Sequence, residues 1–333
     1  MSADTHPKLP AERRLVPRRV FLALGLLALV VGTLVFPFPM RGRMWGDIFD
    51  LAHAPVFCLA LICLVGFLDP PAAGLPSRYQ TIIPMTLSRV CLITVVLMAA
   101  GMIGEYLQRF AGRNPSWKDV AANTAGLTAG LFWVASRATT GTRRWQLSVV
   151  PFAILIAVSV NPALEALDSV ARMRQFPLIA SFERSRELGN WGTHGSTISR
   201  SEEWATDGRH SLRVDLKKGD YPGVAMLWLE QTWGEFSQFH LDIRNPGEQP
   251  LTLIIKLQDQ QHSETGFAWE DRFHQQVIIP AGNSSHVVID LVKVRTAPSE
   301  REMNMDQINM IDIFSTDVQQ PTTFLIDNLR LTR

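Results

Sequence analysis

The stretch 105-EYLQRFAGRNPSWKDVAANTAG-126 lies between two long apolar runs and places acidic and amide side chains where the runs meet. Glu105 and Gln108 are three residues apart, and Asp119 and Asn123 are four apart, so each pair shares one face of a helix. A plain surface turn does not need polar side chains at helical spacing just inside the flanking segments. The stretch therefore predicts a polar site where two membrane helices meet.

Composition divides the chain into two parts. Hydrophobic residues make up 47% of its 333 residues, and the formal net charge is +1. Long uncharged stretches recur before about residue 165, whereas charged residues are dense after it. Basic residues are dispersed apart from an amino-terminal cluster, so no nucleic-acid partner is expected. The three cysteines, Cys58, Cys63 and Cys91, lie inside apolar runs and show neither a disulfide framework nor a metal-binding spacing.

The apolar stretches predict an all-α membrane bundle of five spans, because one span needs about 17 to 25 apolar residues. The spans are expected at about 20–40, 48–68, 89–108, 119–136 and 145–164. Arginines precede the first stretch, which ends in VFPFPM without a small-residue cleavage site, so we interpret it as an uncleaved anchor. Residues 1–19 are then a basic amino terminus, and residues 20–164 are the bundle.

The distribution of Lys and Arg predicts an amino terminus in the cytoplasm. With that orientation, ten Lys and Arg residues fall in the inner flanks and five in the outer ones. An odd number of spans places the chain after about residue 165 outside the inner or plasma membrane. We therefore expect contact with membrane lipids and an extracytoplasmic domain.

Seven polar residues are expected at the outer ends of the second, third and fourth spans. They are Asp50, His53, Glu105, Gln108, Arg113, Asp119 and Asn123. Polar side chains at membrane depth tend to face a bundle interior or a wet cavity, so they predict an outward-facing pocket for a ligand or a lipid headgroup. Alternatively, they only bond the helices together, with Arg113 pairing with Glu105 or Asp119. Catalysis is less favoured, since no nucleophile elbow, phosphate-binding loop or metal-ligand spacing accompanies them.

This pattern resembles the VanZ-like membrane proteins over roughly residues 20–137. The matching residues are Asp50, His53, Glu105, Gln108, Gly112, Arg113, Ser116, Asp119, Asn123 and Gly126. The family pattern places Asp and His four apart with Lys after the Asp, whereas Asp50 and His53 are three apart here and Leu51 follows Asp50. The resemblance implies a place in the bacterial cell envelope and an association with glycopeptide (teicoplanin) resistance, but no defined reaction.

Residues 165–180 are predicted to be a linker, and residues 181–333 an all-β antiparallel jelly-roll sandwich. Short segments of alternating apolar and polar residues, separated by turn residues, predict about eight strands. The clearest are SLRVDL from 211, FHLDI from 239, LTLIIKLQD from 251, HVVIDL from 286, INMIDIF from 308 and TFLIDNLRL from 323. At about 150 residues, such a domain can bury its own core.

The elements W…DGRHSLRVDL…YPGVAM, LDIRNP, DRF, IPAG and FLIDNLRL resemble galactose-binding-like, carbohydrate-binding jelly rolls, and also the related domain of complex I intermediate-associated proteins. The resemblance implies that aromatic and polar groups on one sheet face or rim contact a sugar. The glycan-binding candidates are Trp191, Trp204, Tyr221, Trp228, Trp269 and Arg272. Against this, most tryptophans of a sandwich belong to its core, so we expect only one or two of the five, Trp233 included, to be exposed.

The segment FAWEDRF, residues 267–273, combines aromatic and charged residues. Trp269, Asp271 and Arg272 are expected to alternate along a strand or rim. Arg272 then either contacts a glycan or is a buried ion-pair partner of Asp259 or Asp271, and the sequence does not choose between these roles.

Three functional hypotheses follow. The first is a non-enzymatic envelope protein whose outward sandwich binds a glycan, either peptidoglycan-related or an exported polysaccharide. The second is an enzyme or transporter that acts on a lipid-linked glycan precursor in the outer-facing pocket. The third is an assembly protein whose sandwich binds another envelope protein. No cofactor is expected apart from a structural Ca²⁺, for which Asp327 is a weak candidate because no dense acidic loop is evident.

Overall fold

A computed structural model describes residues 25, 43–68, 87–108, 116–227, 229 and 232–333. The chain divides into a helical unit, which contains residues 46–164, and a β unit, which contains residues 165–333. Long helices build the first unit and two antiparallel sheets build the second. The predicted combination of an α-helical part and an antiparallel β-sandwich is confirmed at this level.

The long helices are α1 Arg43–Leu68, α2 Leu87–Gln108, α3 Trp117–Arg137 and α4 Gly141–Gln175. Among the described residues, three segments are long and apolar enough to cross a membrane. They are Ile48–Leu68, Ser88–Leu107 and Gly141–Gln175. The described part of the chain thus contains three such helices, where five were predicted for the whole chain, and the three are compatible with a membrane protein.

The two remaining predicted spans differ in their outcome. The first, residues 20–40, lies outside the described residues. The fourth, residues 119–136, is helical within α3, but it is not among the three segments apolar enough to span a membrane. Asp119 and Asn123 lower its hydropathy. Both are buried, so this helix directs polar side chains inward.

A small apolar cluster holds α1, α2 and α3 together. Its buried members are Leu61, Val65, Val90, Leu127 and Val134. A Cβ on Gly126 would collide with the carbonyl group of Ala54, so only glycine permits this close approach of α3 to α1. Elsewhere large apolar side chains such as Leu92, Ile103 and Ile156 are exposed. Lipid contact would account for this exposure.

Residues 165–180, predicted to be a linker, have regular structure. Helix α4 continues to Gln175, and strand β1, Leu178–Ala180, follows. Asp168 and Arg172 are four residues apart in α4, and their carboxylate and guanidinium groups lie 3.6 Å apart. Such a pair supports helix beyond the apolar segment, which explains why the helix does not stop where hydrophobicity does.

The β unit is a sandwich of two sheets joined by short connections. Its other strands are β2 Trp191–His194, β3 Ser196–Ser201, β4 Ser211–Leu216, β5 Gly223–Leu227, β6 Gln238–Arg244, β7 Leu251–Asp259, β8 Phe273–Ile279, β9 Ser284–Asp290, β10 Ile308–Phe314 and β11 Thr322–Thr332. A short helix, α5 Leu291–Arg295, follows β9. One sheet has the order β3-β4-β11-β6-β9, with β1 beside β11, and the other has the order β2-β5-β10-β7-β8.

All six segments singled out for their alternation form strands, namely β4, β6, β7, β9, β10 and β11. The described residues hold eleven strands, where about eight were predicted. The additional ones lack clear alternation: β3 (STISRS) is mostly polar, and four of the five residues of β5 (GVAML) are buried. Pairing of β3 with β4 and of β5 with β10 stabilises these strands, although their own sequences show no alternation.

The inner faces of the two sheets form one continuous core. Leu241, Leu253, Ile311 and Ile326 are among its fully buried members. Burying one such side chain contributes roughly 1.5–3 kcal/mol. The core therefore determines which alternate residues of each strand face inward, and the other residues lie on the two outer faces.

Candidate functional site

The outer face of the five-stranded sheet carries a row of polar and small residues. In register, Asp312 on β10 is opposite Lys256 on β7 and Ala225 on β5. The row continues to His274 on β8 and to Gly192 on β2. In the three central strands, the residues on either side of Asp312, Lys256 and Ala225 belong to the core. The row and its two neighbouring rows therefore make up one outer surface, which we call the five-stranded face.

Asp312 lies at the centre of the five-stranded face and joins two basic groups. Its Oδ1 is 2.9 Å from His194 Nε2, and its Oδ2 is 3.2 Å from Lys256 Nζ. The side chains of Asp312 and Lys256 are only 11% and 14% exposed, whereas that of His194 is 39% exposed. Partial burial strengthens these interactions relative to water. The centre of the face therefore presents fixed charged donors and acceptors.

His194 has an acceptor at each ring nitrogen. Nδ1 is 2.8 Å from the backbone carbonyl oxygen of Tyr221, and Nε2 is 2.9 Å from the Asp312 carboxylate. Since both partners accept, only the doubly protonated ring satisfies both. The hydrogen bond to Asp312 raises the pKa of His194, against the opposing effect of burial.

Beside this charged centre, three outer positions carry small residues. Gly192, Gly223 and Ala225 alternate on β2 and β5 with inward residues, and His194, Leu227 and Phe314 are their neighbours on the same face. A Cβ on Gly223 would collide with Phe314 and the carbonyl of Ile313, so glycine is needed for β5 to pair with β10 here. Gly223 and Ala225 are themselves buried, so this part of the face is closely packed and Gly192 is the more accessible of the three.

Aromatic rings flank the five-stranded face on two sides. Tyr221 is 65% exposed, and its ring centroid lies 6.2 Å from that of Phe314. Near β8, Trp269 is 51% exposed. The Arg272 guanidinium lies 4.1 Å, and the centroid of the His274 ring 4.5 Å, from the centroid of the Trp269 ring. Burial lowers the pKa of both Arg272 and His274. Three strand spacings, about 14 Å, separate β5 from β8, so the two aromatic groups bracket the charged centre.

A buried ion-pair network fastens the loop that carries Trp269. Arg301 Nη1 and Nη2 donate to the Asp259 carboxylate at 2.6 and 2.7 Å. Arg301 Nε and Nη2 donate to the Asp271 carboxylate at 2.7 and 2.9 Å. Asp259 is fully buried and also accepts the backbone N–H of Asn304. The bonds from Arg301 lower the pKa of Asp271 to about 2. The network therefore holds the end of the loop against the sheet.

Arg301 occupies the ion-pair position that the sequence offered to Arg272. The segment around Trp269 does not alternate as a strand: Trp269–Asp271 is a short 3-10 turn, which exposes Trp269 and buries Asp271. Arg272 instead stacks on Trp269. The ion-pair partner of Asp271 is thus Arg301, which is distant in sequence, because only the fold brings residue 301 next to the turn.

The remaining aromatic candidates are distributed differently. Trp191 is 6% exposed and packs against Phe182 in the core, and Trp233 is fully buried. Trp204 is half-buried in the connection between β3 and β4, two strands of the six-stranded sheet, and Trp228 lies outside the described residues. Of the four described tryptophans among these five, Trp269 alone is exposed.

Four residues of the five-stranded face escaped the sequence interpretation, namely His194, Lys256, His274 and Asp312. A signal for two of them was present. Lys256 interrupts LTLIIKLQD and Asp312 interrupts INMIDIF, each as the single charged residue within an apolar strand core. A charge at an outward position of a central strand points to a partner on the adjacent strand. That β7 and β10 are adjacent could not be known.

The outer face of the six-stranded sheet is also polar, but its side chains bond to one another. Asp242 accepts from His286 Nδ1 at 2.6 Å, Thr206 Oγ1 at 2.6 Å and Asn328 Nδ2 at 3.0 Å. These bonds lower the pKa of Asp242, although burial opposes them. His240 Nδ1 lies 3.1 Å from His286 Nε2. The network uses most of its own donors and acceptors, which leaves few for a ligand.

Asp327, the candidate Ca²⁺ ligand, is fully buried and surrounded by N–H donors. Its Oδ2 accepts from the backbone of Thr206 at 2.7 Å and Asp207 at 2.9 Å, and its Oδ1 accepts from Asn328 at 2.7 Å. Burial raises the pKa of Asp327. Calcium takes six to eight oxygen ligands, and this donor set does not fit it. Asp327 fits the role of an anchor for the loop between β3 and β4.

In the helical unit, five of the seven polar residues proposed for the membrane pocket are described and lie on three helices. Asp50 and His53 are on α1, Glu105 is on α2, and Asp119 and Asn123 are on α3. His53 Nδ1 is 2.9 Å from Asn123 Oδ1 and 3.9 Å from Glu105 Oε1. The side chains of Asp50, His53 and Asp119 also converge.

The positions of the other two side chains proposed for the pocket, Arg113 and Gln108, are outside what the structure describes. Arg113 lies outside the described residues, and Gln108 ends α2 with its side chain outside them. The hydrogen bond from His53 to Asn123 joins α1 to α3. A helix-joining role for this pair is therefore visible whether or not a ligand binds.

No family model and no curated protein matches the sequence. Solved structures similar to 46% of the chain include an exo-β-agarase, at 18% identity and a TM-score of 0.38, of which the match covers 24%. They also include a family 11 carbohydrate-binding module from Clostridium thermocellum in complex with a β-1,3-1,4-mixed-linked tetrasaccharide, at 15% identity, a TM-score of 0.35 and 94% of that chain. A xylan-binding domain of family 22 matches at 19% identity, a TM-score of 0.33 and 90% of its length.

Proposed function

We propose that the chain is a membrane protein of the cell envelope whose five-stranded face binds a glycan. The observation that carries this proposal is the Asp312 carboxylate held between His194 and Lys256, with the exposed rings of Tyr221 and Trp269 on either side. A sugar presents hydroxyl groups to fixed polar side chains and flat C–H surfaces to aromatic rings. A site with a few placed polar groups and apolar walls suits both.

The bonding of Asp312 supports binding rather than bond cleavage. The exposed aromatic groups Tyr221 and Trp269 stand on either side of Asp312, where sugar rings would stack on them. Asp312 is bonded to two basic partners, so it serves as a hydrogen-bond acceptor with a fixed orientation. A non-enzymatic role of the β unit is accordingly part of the proposal.

The helical unit supplies the membrane part of the proposal. Three helices long and apolar enough to span a membrane support it, and the additional predicted spans at 20–40 and 119–136 would complete a VanZ-like bundle of five. The excess of Lys and Arg in the predicted inner flanks then supports a cytoplasmic amino terminus and an extracytoplasmic β unit.

A second candidate function is supported by the polar cluster on α1, α2 and α3. An enzyme or transporter of lipid-linked precursors needs polar side chains near the membrane, and Glu105, Asp119 and Asn123 are buried there. In that case the β unit would deliver the glycan part of the substrate.

The proposal is tested by glycan binding to the full chain in lipid nanodiscs. An array of polysaccharides and peptidoglycan fragments identifies a binder, and calorimetry measures its affinity. Asp312→Ala removes a charged acceptor worth about 1.5–3 kcal/mol, so affinity should fall by roughly ten- to a hundredfold. Asp242→Ala, the matched change on the six-stranded face, should leave affinity unchanged. Absence of any bound glycan, or equal loss in both variants, would contradict the proposal.

A further inference from the structure

We propose that Asp50, His53 and Asp119 form a binding site for a divalent transition-metal ion in the helical unit. Each side chain offers one ligand atom, and these atoms all lie within 4.8 Å of one another. A tetrahedral zinc ion bound at about 2.1 Å needs ligand atoms about 3.4 Å apart. Metal binding would therefore draw the three side chains closer together. The proposal is independent of glycan binding by the β unit.

The hydrogen bonding of His53 prepares the ring for a metal. Asn123 Oδ1, 2.9 Å from Nδ1, can only accept, so Nδ1 carries a proton, and in the neutral ring Nε2 then has the lone pair for a metal. Glu105 Oε1, 3.9 Å from the same Nδ1, adds a carboxylate on that side. Histidine ligands of metals typically donate their other N–H to an oxygen in this way, which fixes the tautomer and the ring orientation.

The backbone frame of the site is rigid. Asp50 and His53 lie one turn apart on α1, and the contact of Gly126 with the Ala54 carbonyl sets the distance from α1 to α3 immediately beside His53. Asp119 lies in the first turn of α3, after the Ser116 cap. Sites on closely packed helices hold their ligand atoms more accurately than sites on loops.

The ligand chemistry identifies the class of ion. An imidazole nitrogen with two carboxylates suits Zn²⁺, Mn²⁺ or Fe²⁺, whereas Mg²⁺ and Ca²⁺ prefer oxygen alone. Two carboxylates neutralise a divalent charge, which lowers the cost of holding it among residues that are partly or fully buried. Three protein ligands leave a coordination position for water or for an oxygen atom of a bound molecule.

The test measures metal binding to the purified full chain in detergent after chelator treatment. We expect about one Zn²⁺ per chain by mass spectrometry, with affinity measured by competition against a chromophoric chelator. His53→Gln and Asp119→Asn should each weaken Zn²⁺ binding more than about a hundredfold. Asn123→Ala, which removes only the outer hydrogen bond, should weaken it about ten- to a hundredfold. His286→Asn removes a histidine–carboxylate pair of the β unit and should change nothing.

Cobalt provides a readout that does not depend on the variants being folded. Co²⁺ added to the wild-type chain should give the visible absorption of a nitrogen–oxygen site without thiolate bands. A chain that stays colourless with Co²⁺ overturns the proposal. So does Zn²⁺ content that persists unchanged in folded His53→Gln, or a preference for Mg²⁺ or Ca²⁺ over Zn²⁺.

Discussion

The two outer faces of the sandwich carry similar residues and differ in what those residues are free to do. Both contain a buried aspartate beside a histidine, Asp312 with His194 and Asp242 with His286. On the six-stranded face, Asp242 also accepts hydrogen bonds from Thr206 and other neighbours, and the loop that contains Thr206 covers it. On the five-stranded face, Asp312 is equally little exposed, 11% against 10% for Asp242, but its side-chain partners are the two basic groups of His194 and Lys256.

The difference shows that polar content alone does not mark a binding face. A network whose members satisfy one another stabilises the protein and has little to offer a ligand. A binding face needs polar groups that are oriented but reachable, together with apolar surface that water leaves easily. On the five-stranded face, the partly exposed His194 and the exposed ring of Trp269 are the groups that we propose for this role.

The largest expected effect comes from comparing Arg301, in a loop beside the five-stranded sheet, with Arg213 on the six-stranded face. Arg301→Met leaves the carboxylates of Asp259 and Asp271 buried without their cation, which should lower the free energy of unfolding by about 3–5 kcal/mol. Arg213→Met on the six-stranded face breaks pairs with Glu203 and Asp215, which are more exposed, and should cost at most about 1 kcal/mol. Denaturant titration followed by tryptophan fluorescence measures both. Equal losses would show that the network at Arg301 has no special role.

A smaller effect is expected from the tryptophans. Trp269→Ala removes an exposed ring beside the charged centre and should weaken glycan binding about three- to tenfold, in keeping with roughly 0.5–1.5 kcal/mol for an aromatic contact. Trp204→Ala, in a loop between strands of the other sheet, should leave affinity unchanged. Calorimetry with the best array ligand measures both variants. Stronger loss from Trp204→Ala would move the site to the six-stranded sheet.

The smallest expected effect is the difference in pKa between His194 on the five-stranded face and His240 on the six-stranded face. The hydrogen bond to Asp312 raises the pKa of His194, and burial followed by the nearby charge of Arg330 lowers the pKa of His240. The stability due to His194 is thus fully present below about pH 6.5 and is lost as pH rises through its folded-state pKa. His240 has the opposite sign, since stability falls as pH drops below about 6.5.

Proton NMR of the histidine rings measures the two midpoints directly. The His194 midpoint should lie above that of a free histidine and the His240 midpoint below it. Asp312→Asn should return the His194 midpoint towards the ordinary value without moving that of His240. Coincident midpoints would mean that the two faces do not differ in their electrostatics.

Much of the β unit could be predicted from local pattern. Alternation in SLRVDL or LTLIIKLQD reflects one buried and one outer side, and this holds whatever strand lies beside it. Strands such as β5, whose short sequence is buried on both sides, carry no such signature. The apolar segment predicted at 145–164 is helical within α4, but the continuation of the helix to Gln175 was not predicted.

The sequence by itself determined the division into an apolar helical part and a β-sandwich, because hydropathy and period are properties of adjacent residues. It also determined that Asp50 and His53, or Asp119 and Asn123, share a helix face, since helical spacing is local. Only the tertiary structure decided which distant residues meet: Arg301 with Asp271, His194 with Asp312, and His53 with Asn123. The physical reason is that strand order and helix packing follow from burial of the whole core, which no single segment encodes.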